Sequence, residues 1–233
     1  MSLRSLSAIL LLLVPGTATL FGQDQQYPFR DSNLPIEKRI DNILSLMTID
    51  EKIACLGTTT AVARLGIPNA GLTEGLHGLV RKGGRGGPGV PTTQFALAVG
   101  MAESWDVDLI RREGAVEGYE ARYLTQSSKY HTPALVIWAP NADLARDPRW
   151  GRTEESYGED PFLNGTMAAA FIKGIQGDDA KYWQAASLLK HFMANSNEDN
   201  RIGSSSDFDA RLMREYYSVP FRMGFLEIGR AHV

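Results

Sequence analysis

Five apolar residues, Ala134-Leu135-Val136-Ile137-Trp138, empty directly into the most charged stretch of the chain. Residues 139–161 read APNADLARDPRWGRTEESYGEDP and hold three arginines, six carboxylates, a tryptophan and three prolines. A short apolar run reads as a buried strand. A polar, proline-stiffened loop at its end is how an α/β protein presents a ligand site. So many charges serve no core. Guanidinium groups supply forked donors and carboxylates supply acceptors, a combination that fixes several hydroxyl groups at once and suits a sugar. The competing reading is a solvated loop closed by its own ion pairs.

The same grammar recurs on either side. Pro35 opens a helix with Ile36, Ile40, Ile43, Leu44 and Met47 on one face. Thr48 and Glu51 form a capping box for a second helix carrying Ile53 and Leu56, completing a two-helix lead-in. A weak strand over residues 67–72 ends in Thr73-Glu74-Gly75-Leu76-His77-Gly78. Residues 83–89 are glycine-rich but lack the Gly-Lys-Ser/Thr ending of a phosphate loop, and read as a surface loop. A helix is expected over residues 91–104, and a longer one from Asp106 to about Tyr123 with Leu109, Ile110, Val116, Tyr119 and Tyr123 as its apolar positions. Gly114 and Gly118 in that helix imply close packing. Asp160-Pro161 caps a helix that stops at Gly177. The Asn164-Gly165-Thr166 acceptor triplet falls inside it and is discounted as a glycosylation site. Residues 185–189 are the next buried strand, running into Lys190-His191, and Asp209 starts a helix with Pro220 near its end. Strand, loop and helix in repetition give an α/β fold with parallel strands. Its interesting residues lie at the C-terminal ends of the strands, where both a closed barrel and an open sheet place their sites.

Composition narrows the class. The chain has 233 residues, 43% of them hydrophobic and 22% charged, with a formal charge of −3. That is a globular profile with no basic surplus for nucleic acid. Cys55 is the single cysteine, so no internal disulfide forms, and its apolar setting reads as core. Residues 1–22 read as a secretory signal peptide: Arg4, then an apolar run over residues 8–14, then small residues. The run is too short to span a bilayer, so no membrane partner is expected after cleavage. A leader without disulfides points to a secreted or periplasmic protein, residues 23–233 forming the mature domain.

At five ordered motifs the sequence resembles glycoside hydrolase family 3, the exo-acting β-glucosidases and β-xylosidases. They are residues 73–78, the stretch from Ala139-Pro140-Asn141 to Arg152, residues 155–161, Lys190-His191-Phe192 with Asn195, and residues 209–221. The resemblance implies the N-terminal part of a (β/α)8 TIM-type barrel, a retaining mechanism and no cofactor. It also implies an oligosaccharide substrate with a terminal β-linked xylose or glucose, as in plant polysaccharide breakdown. Glu74 is expected to accept hydrogen bonds from sugar hydroxyls, and Arg152, Lys190, His191 and Arg201 to donate to them, with His191 as a neutral donor. Arg146, Asp147, Arg149 and Asp160 are read as the ion-pair frame of the loop, Trp150 as packing and His77 as structural. A Pro-Gly-His segment that marks the β-N-acetylhexosaminidase branch is missing after Lys190-His191-Phe192. Glu74, where β-glucosidases of the family carry Asp, leans toward β-xylosidases.

The chain departs from the family pattern at its end. A retaining glycosidase needs two carboxylates about 5 Å apart across the scissile bond. The resemblance puts the nucleophilic Asp and the acid/base Glu beyond Val233, so no residue present is assigned a catalytic role and the rest of the barrel is the expected partner. Asp207, Asp209 and Glu155 are not promoted in their place. The alternative is a catalytically dead sugar-binding module. An open partial barrel leaves strand edges and apolar faces uncovered, so the chain as given is expected to fold poorly and to hydrolyse nothing.

Overall fold

A computed structural model describes residues 27–57, 60–80, 89–194 and 197–228. The leader over residues 1–22, most of the glycine-rich segment, Asn195 and the last five residues lie outside the described residues. The chain divides into two units, residues 1–52 and 53–233. In the first, helix α1 (Ile36–Leu46) follows Pro35, as its periodicity requires. The Asn42 side chain accepts from the Phe29 amide at 3.1 Å, and Arg39 Nε donates to the Phe29 carbonyl at 2.7 Å. The capping box at the start of α2 (Ile49–Cys55) is reciprocal. Thr48 Oγ1 accepts from the Glu51 amide at 3.2 Å, and Glu51 Oε2 accepts from the Thr48 amide at 2.9 Å.

The second unit is built on three short parallel strands in chain order, β1 (Leu72–Glu74), β2 (Val136–Trp138) and β3 (Ala186–Ser187). Leu72, Val136 and Ala186 lie in register, as do Thr73, Ile137 and Ser187, and Glu74 pairs with Trp138. Thr73, Ile137 and Ser187 are buried on one face of the sheet. Leu72, Val136, Trp138, Ala186 and Leu188 instead line an open groove of about 760 Å³, together with Cys55 and Trp183. Parallel strands with alternate side chains sent to opposite faces, each strand followed by helix, are the α/β class expected and the opening portion of a barrel. The weak first strand starts later than expected. Ile67 makes an isolated antiparallel bridge with Val62 instead.

Helices α4 (Val107–Gln126) and α5 (Pro161–Gln176) pack tightly in this unit. Each starts on an aspartate cap: Asp106 Oδ1 accepts from Leu109 N at 2.9 Å, and Asp160 Oδ1 from Leu163 N at 2.7 Å. Glycines let the two backbones touch. A Cβ on Gly114 would sit 2.2 Å from the Phe171 carbonyl oxygen, one on Gly118 2.4 Å from that of Ile175, and one on Gly174 2.1 Å from that of Arg111. No side-chain rotation relieves a clash with backbone. Gly174→Ala is therefore expected to lower unfolding free energy by about 3 kcal/mol in a denaturant melt, whereas Gly100→Ala, which meets nothing within 4 Å, should not destabilise. Ile110, Ala121, Leu124, Met167, Ala168, Phe171 and Ile175 fill the core with Ile137 from the sheet.

Two helix expectations change. Only α3 (Ala98–Ala102) forms within residues 91–104. The preceding chain is held extended by bonds elsewhere: Thr92 Oγ1 donates to the Leu79 carbonyl at 2.6 Å, Phe95 N to that of His77 at 3.0 Å, and Thr93 N to Glu120 Oε1 at 3.1 Å. After the Asp209 cap, helix α6 (Ala210–Leu212) opens into one π turn, Met213–Tyr217, and Pro220 sits in the first turn of α7 (Val219–Ile228) rather than ending a helix. A proline is tolerated there because the first-turn amides lack helical partners in any case. Asn164 is fully buried, so the acceptor triplet is closed to glycosylation. Its Nδ2 donates to the Asp143 carbonyl at 3.0 Å and to Ser156 Oγ at 3.1 Å, tying the charged loop to α5. Among the described residues, no helix is long and apolar enough to cross a membrane.

Candidate functional site

The three strands end side by side, and their exits carry Glu74, the loop from Ala139, and Lys190. Two further parallel bridges, Asn141 to Lys190 and Asn141 to Ser156, continue the pairing past β2 and draw the charged loop over the sheet end. Lys190 Nζ lies 3.2 Å from Glu74 Oε2 and 4.0 Å from Glu155 Oε2. Arg152 grips both oxygens of Glu155, Nε to Oε1 at 2.8 Å and a terminal nitrogen to Oε2 at 2.6 Å. Asn141 Nδ2 donates to Glu155 Oε2 at 3.3 Å. Arg152 also reaches Glu198 at 3.6 Å, and Glu198 pairs with Arg201 at 3.1 Å. Glu74, Lys190, Glu155, Arg152, Glu198 and Arg201 thus form one connected chain of alternating charge.

His191 belongs to the same cluster through a residue the sequence reading missed. Asp143, fully buried, stands 2.7 Å from His191 Nδ1 and accepts the His191 amide at 3.2 Å. Asn141 Oδ1 in turn accepts from the Asp143 amide at 2.8 Å. Burial pushes the Asp143 carboxyl up, and this outweighs the downward pull of His191 and Arg152. With Asp143 ionised, Nδ1–H is spent on it, and Nε2 of a neutral ring offers a lone pair to a hydroxyl rather than a proton. The expected donor role of a neutral His191 requires the other tautomer, with Nδ1 accepting from a protonated Asp143.

Burial also pushes Glu155 up. The two bonds from Arg152 and its charge, with Lys190 and Asn141, more than offset it and hold the carboxyl below its ordinary value. Glu155 is therefore an anion fixed to its arginine, with Lys190 Nζ 4.0 Å away. Glu74 is the accessible carboxylate of the set, its side chain 43% exposed against 12% for Glu155. Arg201 is half exposed at the rim.

The other charges of the loop have separate duties. Arg149 pairs with Asp147 at 2.6 Å on the surface. Arg146 bonds to the Tyr217 hydroxyl and lies 4.7 Å over that ring rather than joining an ion pair. Asp160 caps α5 rather than joining the frame. Trp150 is buried, as packing requires. Asp209 caps α6, and Asp207 accepts from Ser205 Oγ at 3.1 Å. Among the described residues no group of His, Cys, Asp and Glu is arranged to hold a metal ion.

The exits of the parallel α/β sheet thus converge on a dense array of hydrogen-bond donors and acceptors. Residues 36–233 match the family profile described as "Glycosyl hydrolase family 3 N terminal domain". The chain belongs to glycosyl hydrolase family 3. It is 37% identical over 195 residues to a β-glucosidase of Rhizobium radiobacter, covering 82% of this chain and 22% of that protein. It is 36% identical over 225 residues to a β-xylosidase of Formosa agariphila, covering 94% of this chain and 30% of the relative. Among solved structures, a family 3 exo-β-xylosidase bound to a xylobiose aziridine probe superposes with a TM-score of 0.72 at 28% identity, over 84% of this chain and 26% of that one. The β-glucosidase of Kluyveromyces marxianus in complex with glucose superposes with a TM-score of 0.69 at 32% identity, over 81% of this chain and 22% of that one. The chain thus spans about a quarter of the length of these relatives.

Proposed function

We propose that this chain is the sugar-gripping portion of an exported, retaining exo-β-glycosidase that releases terminal β-linked xylose, or less readily glucose, from oligosaccharides. The observation that carries the reading is the single network joining Glu74, Lys190, Arg152 and His191 at three adjacent strand exits. A pyranose entering there meets an exposed carboxylate on one side and two fixed cations on the other. Hydroxyl contacts of this kind orient the ring and tighten as an oxocarbenium-like transition state forms. The names of the relatives quoted above support both xylosides and glucosides, and Glu74 favours the former.

Chemistry is assigned elsewhere. Both Glu155 oxygens are held by Arg152, and Asp143 lies behind His191. Neither is free to attack an anomeric carbon or to donate a proton. The nucleophile and the acid/base group belong to segments beyond Val233, and the leader of residues 1–22 directs the product to the periplasm or the medium.

The test compares the 233-residue chain with a product extended to the length of its relatives. The short chain should release no nitrophenol from aryl β-xyloside, β-glucoside or α-arabinoside, and xylose binding is read on the extended product. The extended product should release it, fastest from the xyloside. Hydrolysis by the short chain overturns the assignment of the carboxylates. Absence of xylose binding overturns the sugar reading, and a silent extended product that still binds xylose marks a sugar-binding module.

A further inference from the structure

Glu117 sits in the middle of α4 with no exposed surface, and no activity has yet been asked of it. Its Oε1 accepts from the Gly78 amide at 2.9 Å. Its Oε2 is buried and meets no hydrogen-bond partner. A Cβ added to Gly75, the residue after Glu74, would lie 2.4 Å from Ile137 Cγ2 and 2.5 Å from that oxygen, so the carboxyl and Ile137 together fill the space beside it. The turn is closed at its base, where Val80 N donates to the Glu74 carbonyl at 3.0 Å and Thr73 Oγ1 to the Val80 carbonyl at 3.2 Å. Glu117 is thus a bolt from a rigid helix through the middle of the turn that begins at Glu74.

We propose that Glu117 is a positioning residue of the sugar site: by fixing the Gly75–Gly78 turn it aims the Glu74 carboxylate at Lys190 and at the bound ring. The inference rests on the sugar reading above and adds a residue that never touches the sugar. Burial pushes the Glu117 carboxyl well up, the Glu113 charge adds to this, the Gly78 bond opposes it and Glu120 adds again. Glutamine matches the side chain in size and can still accept from the Gly78 amide through its carbonyl oxygen.

The experiment uses the product extended to the length of its relatives, with xylose as the titrant and amide hydrogen exchange as a second readout. Glu117→Leu should weaken xylose binding about tenfold, and Glu117→Gln should stay within about threefold of the parent. Loss through Glu74 has a signature that general destabilisation lacks. In a Glu74→Gln background, Glu117→Leu should cost nothing more, because the aimed group is already gone. Exchange across residues 74–79 should speed about tenfold in Glu117→Leu while α5 is unchanged. If Glu117→Leu does not fold, Glu117→Met, which keeps the length of the side chain but offers Gly78 no oxygen acceptor, should reproduce the same loss. Additive effects of the two substitutions, unchanged exchange over residues 74–79, or full xylose affinity in Glu117→Leu each overturn the proposal. A parent chain that binds no xylose overturns the sugar reading instead, and exchange then decides by itself whether Glu117 holds the turn.

Discussion

Arg152→Ala is expected to destabilise the protein and to abolish sugar binding, and a second substitution should separate the two effects. Arg152 and Glu155 are both largely buried, with side chains 17% and 12% exposed and two bonds between them. Removing the guanidinium leaves a desolvated carboxylate facing only Lys190 at 4.0 Å and the Asn141 amide. Breaking one side of such a pair costs about 3 kcal/mol, which in a chain of this size is roughly 10 °C in melting temperature. Burial, now opposed only weakly, should carry the Glu155 carboxyl above its ordinary value. Adding Glu155→Gln removes the stranded charge and should restore most of the stability. It should restore none of the xylose affinity, because the donors of Arg152 remain absent. Recovery of both together would make Arg152 a scaffold residue.

The second large effect is a loss of stability as pH rises. Glu113 and Glu117 lie one turn apart on the buried face of α4, both removed from water. Burial raises the Glu113 carboxyl from 4.5 to about 7. Glu117 and the buried Tyr157 hydroxyl are pushed up for the same first reason, with the neighbouring glutamates adding to it. Between pH 4.5 and about 7 the folded chain holds a proton on Glu113 that the unfolded chain has released, so stability is full below that window and falls through it. At about 1.4 kcal/mol per pH unit, the loss is about 3 kcal/mol by pH 8. Melts at pH 5 and pH 8 should differ by at least Glu113's share, and Glu113→Gln should remove that share while the part carried by Glu117 remains. A melting temperature that rises over this window would contradict the assignment. The chain expected to fold poorly should fold best at mildly acidic pH.

These glutamates show where the sequence was readable and where it was not. The strand exits were legible because apolar runs gave way to polar chain, which located Glu74, the charged loop and Lys190 with His191, while Arg152 was singled out within that loop by the family resemblance. The caps at Thr48, Asp106, Asp160 and Asp209 were legible because capping is local chemistry. The inward face of α4 was not. Val116, Tyr119 and Tyr123 looked like its buried stripe, yet Tyr119 is 63% exposed and Tyr123 50%. Close approach to α5 demands glycine, so the contact face carries Gly114 and Gly118, and the glutamates beside them are drawn into the core. Asp143 and Glu198 were missed for another reason. Each is defined by a partner far along the chain or across a turn, His191 and Arg152, and such pairings exist only once the strands are side by side. An aspartate flanked by Ala142 and Leu144 was the one available signal that Asp143 points inward.

The most direct measurement is a crystal structure of the extended product soaked with xylose. One pyranose ring should lie with its hydroxyls in hydrogen-bond contact with Glu74, Lys190, Arg152 and His191 together, above the ends of β1, β2 and β3. A ring bound anywhere else, or those four side chains found turned away from a shared space, would contradict the account.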